Sequence, residues 1–73
     1  MKGRIIKEAK YISSVFPVGT EFEVLPAPEA ERWIAERGDM APSVRDEISH
    51  GGVLGVLAGL ARLIDRDMWE VVP

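Results

Sequence analysis

The stretch from Gly51 to Pro73, GGVLGVLAGLARLIDRDMWEVVP, constrains this chain more than any other. It holds the densest apolar run and four of the seven glycines. It ends in Met68-Trp69-Glu70-Val71-Val72, which reads as a strand. Two folds compete for residues 53–65. Val53, Val56, Leu57, Leu60, Leu63 and Ile64 fit a helical stripe. Gly55 and Gly59 oppose it, each costing about 1 kcal/mol against alanine inside a helix. The alternative is a β-hairpin, with strands 53–57 and 60–65 joined by a tight turn at Ala58-Gly59. Gly55 then marks a close approach or a bulge. The hairpin is preferred because other strand-like segments need partners. Without it, three short strands would leave open edges and almost no core.

Those other segments are few. Residues 2–8 carry Ile5-Ile6 between charges and read as a short strand. Residues 9–19 show no clean period and read as a long ordered loop. Tyr11, Ile12, Val15 and Phe16 give it apolar surface that either folds back onto the core or meets a ligand. Pro17-Val18-Gly19-Thr20 is turn chemistry. It leads into 20–25, where Phe22 and Val24 alternate with Glu21 and Glu23, the cleanest strand pattern in the chain. Pro26 and Pro28 end it.

The period then changes. Pro28 suits a first helical turn, Ala30, Trp33 and Ile34 form one stripe, and Gly38 follows Arg37 as a stop. Ser43 with Asp46 three residues on resembles a capping box, predicting a brief helix over 44–49 that ends at His50-Gly51-Gly52.

Strand, long loop, the turn-plus-strand Pro17–Leu25, an interruption, a hairpin, one tight turn at Arg66-Asp67-Met68 and a final strand at 69–72 resemble an SH3-like small barrel. The resemblance is one of element order and covers about two-thirds of the chain. It implies a mainly β, five-stranded, closed or half-closed barrel with strands at about 2–8, 20–25, 53–57, 60–65 and 69–72. A helical insertion at 28–49 departs from the plain fold. The alternative is a small α+β domain with a helix over 53–65. The run of aromatics expected of a proline-peptide groove is missing, so no groove residues carry over.

At 73 residues the chain makes one small domain, 1–73, with a small core. The absence of cysteine removes disulfide scaffolds and thiolate zinc sites, and fits a reducing compartment. MKGRIIKEAK lacks the apolar run of a signal peptide, and Val53 to Ala61 is too short to span a bilayer. The expectation is a cytoplasmic chain with no membrane partner. The net charge of −3 gives no footprint for nucleic acid. Lys2, Arg4, Lys7 and Lys10 form at most a modest basic edge, and such lysines ordinarily blunt an edge strand.

Catalysis finds little support. The single histidine, His50, sits beside Ser49 and near Asp46 and Glu47, but a hydrolytic triad needs groups converging from separate elements. Its position suits a helix terminus. Gly51-Gly52 and Gly55 do not make a dinucleotide fingerprint. Asp65, Asp67 and Glu70 lack the spacing of a calcium loop. No enzyme activity, cofactor or metal is expected.

Binding is better supported. Trp33 and Trp69 are the largest potential anchors, and a domain this small uses them as core more often than as interface. Tyr11 and Phe16, on the long loop, are candidate contacts. So are Glu29, Arg32 and Glu36 on the acidic 29–47 segment, whose functional reading is a surface that meets a partner. The leading expectation is a non-enzymatic protein-binding module. It would be a small bacterial or bacteriophage accessory protein that binds and modulates, for instance inhibits, a larger host protein. A nucleic-acid-binding barrel using the 2–10 edge, and a self-assembling structural subunit, are the alternatives.

Overall fold

The computed structural model describes residues 1–12 and 14–73. They form an α+β domain. β1 (Lys2–Ile5) leads into a small hairpin, β2 (Ala9–Tyr11) and β3 (Ser14–Phe16). β4 (Glu21–Val24), α1 (Ala27–Ala35), a 3-10 turn (Gly38–Met40) and α2 (Ala41–Ser49) follow. The C-terminal third supplies β5 (Val53–Leu57), β6 (Leu60–Ile64) and β7 (Trp69–Val71).

Five strands make one antiparallel sheet in the order β6-β5-β4-β1-β7, and β2-β3 pair apart from it. Among the described residues the five strands do not close into a complete barrel, and β6 and β7 stand at the edges of the sheet. The helical alternative for 53–65 is also set aside. Val53 pairs with Ile64 and Leu57 with Leu60 across a two-residue turn. Ala58 and Gly59 have φ of 52° and 78°, as a hairpin turn that matches strand twist requires.

β5 explains why this stretch is so apolar. Its alternate residues supply two cores. Val53 and Leu57 join Ile5, Ala9, Phe22 and Ile64 on one face, and Leu54 joins Ile34 and Val44 on the other. A strand covered on both sides reads as a continuous apolar run instead of an alternating one. Leu54 meets the two helices, and the β2-β3 hairpin contributes Ala9, Tyr11 and Phe16 to the opposite core.

Several boundaries shift. Residues 9–19 hold a hairpin where a loop was expected. The strands expected at 2–8, 20–25, 60–65 and 69–72 are shorter by one to three residues. The second helix begins at Ala41, not Val44, with Pro42 in its first turn and no side-chain cap, so Ser43 lies inside the helix. Proline, already lacking the donor that a first turn leaves unpaired, sets that start. α1 ends at Ala35, two residues before the expected Arg37, and Gly38, at a positive φ, opens the 3-10 turn. Met68 N–H to Asp65 carbonyl, 2.9 Å, closes the tight turn before β7. No helix among the described residues is long and apolar enough to cross a membrane.

Candidate functional site

The β2-β3 hairpin brings the sequence candidates Tyr11 and Phe16 together. Its register is Ala9↔Phe16, Lys10↔Val15 and Tyr11↔Ser14. Side chains alternate across a strand, so Ala9, Tyr11 and Phe16 face the core while Lys10 and Val15 face out. Tyr11 and Phe16 meet edge to face, centroids 5.9 Å apart, and both are half-buried. Beyond them Val15 is 57% exposed and Ile12, in the turn, is fully exposed.

A residue that sequence reasoning did not single out completes this group. The Arg62 guanidinium, on edge strand β6, lies 4.8 Å from the Tyr11 ring centroid and 5.3 Å from that of Phe16. Its Nε–H donates to the Leu57 carbonyl at 3.4 Å. The Tyr11 hydroxyl donates to the Leu63 carbonyl at 3.0 Å, tying the hairpin to the edge of β6. Burial pushes the Tyr11 phenol above its ordinary value of 10.0; the Arg62 charge opposes the shift and Asp65 adds to it. At neutral pH the phenol is therefore protonated and able to donate. No signal in the sequence marked Arg62, because Tyr11 and Phe16 lie far from it along the chain.

Charge is distributed unevenly. Lys2 pairs with Glu21 at 3.7 Å, Arg4 with Glu70 at 3.7 Å, Lys7 with Asp67 at 3.3 Å and Lys10 with Glu8 at 3.7 Å. The modest basic edge thus carries its own counter-charges. Arg45 pairs with Glu31 at 2.8 Å and Arg66 with Glu47 at 3.7 Å. Among the described residues Arg32, Arg37 and Arg62 have no carboxylate within ion-pair distance. Arg37 lies 3.7 Å over the half-buried Trp33 ring.

The other candidates, Glu29 and Arg32 on α1 and Glu36 at its C-terminal cap, are all exposed. That helix packs through Ile34 onto the opposite core from Tyr11 and Phe16. The two sets therefore lie on opposite sides of the sheet and do not form one surface. Trp69 packs against the Phe22 core, rings 6.0 Å apart, with its indole N–H donating to the Gly51 carbonyl at 3.0 Å.

An apolar cleft of about 280 Å³ opens between the helices and the β4-β5 end of the sheet. Leu25, Ala30, Ile34, Ile48 and Leu54 are among its walls, and Glu31, its charged lining residue, is already held by Arg45. It offers shape but no group placed for chemistry. His50 closes α2, and its Nδ1 lies 2.7 Å from the Asp46 carbonyl. A carbonyl only accepts, so that nitrogen carries the proton and cannot serve as a base toward Ser49. The Ser49 hydroxyl donates to the same carbonyl at 2.8 Å. Among the described residues no group of three His, Asp or Glu is placed to hold a metal ion.

No protein family, no curated protein and no solved structure matches this chain.

Proposed function

We propose that this domain is a protein-interaction module whose contact surface is the β2-β3 hairpin and the adjoining edge of β6. The observation that carries this reading is the exposure of Ile12 and Val15 at the tip of a hairpin fixed by the Tyr11 and Phe16 rings. Apolar side chains on a pre-ordered support lose little entropy on binding, and they gain from leaving water. The self-paired basic residues favour a protein over a polyanion as partner.

The strand order also supports an SH3-like architecture that stays open. The first and last strands are neighbours, a long excursion follows the first strand, and a tight turn precedes the last. In this reading α1 and α2 are an insertion that covers one face. The domain acts as a small bacterial or bacteriophage accessory protein that binds and modulates a larger host protein.

Affinity capture from bacterial lysate, read by mass spectrometry, tests it. Val15→Asp changes an exposed side chain and should leave the fold intact. A protein captured by the unmodified domain and lost with Val15→Asp is the expected result. Capture unchanged in Val15→Asp would move the site away from the hairpin.

A further inference from the structure

We infer that Arg62 is a carboxylate-recognition residue, and that the partner segment carries an acidic side chain flanked by apolar ones. This rests on the reading of the hairpin as the interaction surface and adds the chemistry of what binds there.

Three features of Arg62 converge. First, its guanidinium is held over two aromatic rings, and its Nε–H is directed to the Leu57 carbonyl. An arginine so held loses little freedom when it makes further hydrogen bonds. Second, it is half-buried yet has no carboxylate partner among the described residues. Asp65 is near enough to influence the Tyr11 phenol but forms no ion pair with Arg62. The guanidinium keeps Nη donors that match the two oxygens of a carboxylate. Third, its surroundings are apolar. Leu60 stands on the same face of β6, about 7 Å along the strand, and is 59% exposed. Ile12 is exposed in the turn of the hairpin whose Tyr11 and Phe16 rings Arg62 meets.

The stoichiometry of charge favours a carboxylate over a phosphate. Phosphate sites gather several cations or backbone N–H groups. Here one guanidinium stands alone, and the hairpin's lysine, Lys10, faces away from it and is paired with Glu8.

The test is heteronuclear NMR on isotopically labelled protein. The probes are an acetylated, amidated Leu-Glu-Leu-Glu peptide, its Leu-Gln-Leu-Gln counterpart, inorganic phosphate and oligothymidylate. The expected result is a shift of the Arg62 Nε–H and of the Leu60 amide with the glutamate peptide. Binding should weaken about tenfold or more with the glutamine peptide, the loss of one charge-assisted hydrogen bond. Arg62→Lys, which keeps the charge but loses the fork, should weaken the glutamate peptide similarly, with its amide spectrum reporting that the fold persists. Equal binding of the two peptides would overturn the inference and leave the hairpin reading standing. Tighter binding of phosphate or oligothymidylate would overturn it in favour of a phosphoryl-bearing ligand. No shift with any probe would overturn it too, and the hairpin reading would then be judged by the Val15→Asp capture alone.

Discussion

The Phe22 ring fills the space that a side chain at Gly55 would occupy. A Cβ at Gly55 would sit 2.8 Å from Phe22 Cε2 and 2.9 Å from Ile64 Cδ1. At Gly3, on the other side of β4, it would sit 2.7 Å from the same Phe22 carbon and 2.9 Å from Trp69 Cε3. The ring thus spreads over two neighbouring strands because neither has a side chain there. Gly55→Ala should cost about 1–3 kcal/mol by overpacking. Each kcal/mol lowers the melting temperature by about 4–8 °C in a domain of this size. Phe22→Leu in that background should restore part of the loss. An unchanged melting temperature for Gly55→Ala would refute the close packing.

Ala58 is the non-glycine residue at positive φ among the described residues, in a turn where asparagine is preferred. A left-handed conformation costs an L-residue about 1–2 kcal/mol, and asparagine tolerates it better. Ala58→Asn should therefore stabilise the domain by up to about 1 kcal/mol, measured by urea denaturation with an unchanged slope. A fall in the midpoint would count against the assigned turn.

Tyr11 gives stability a dependence on alkaline pH. Its folded pKa is raised above the ordinary 10.0, so the folded state favours the protonated phenol. That contribution is fully present below pH 10 and is lost as pH rises through the folded pKa. Tyr11→Phe should cost about 1 kcal/mol at neutral pH, for the hydrogen bond to Leu63. The gap between the variant and the unmodified protein should narrow above pH 10. A gap that stays constant to higher pH would show that the phenol does not titrate with the fold.

Glu47 ties α2 to the turn before β7. Its carboxylate, on a side chain 22% exposed, accepts the Arg66 backbone N–H at 3.1 Å and lies 3.7 Å from Arg66 Nε. Glu47→Ala should cost about 1–3 kcal/mol, since the acceptor is charged. Faster amide hydrogen exchange at Arg66 and Met68 should accompany it. Protection unchanged at both would mean the turn holds itself.

What the sequence revealed follows from where each signal resides. The β5-β6 hairpin was legible because Gly55 and Gly59 argue locally against a helix. β4 was legible because one of its faces is more exposed than the other, which produces clean alternation at Glu21–Val24. The β2-β3 hairpin was not legible, because three-residue strands are too short to show a period. The failure of the barrel to close depends on the spatial course of β6 and β7, which no local pattern encodes. Tyr11 and Phe16 stood out by type, but their inward orientation follows from a register that only the paired strands show. Arg62 was invisible for the same reason: its two aromatic neighbours come from a hairpin on the other half of the chain. Glu29, Arg32 and Glu36 were grouped with them on charge, and the sheet that separates them is a tertiary fact.

The pairing of β1 with β7 sets Gly3 opposite Val71, and the Val72 N–H meets the Lys2 carbonyl at 2.9 Å. Backbone arriving at residue 2 and leaving at residue 72 therefore passes through one small window of the surface. Such a unit can be grafted into a surface loop of a host protein without stretching the host, and its two ends can be joined by a short linker with new ends cut at Ala58-Gly59.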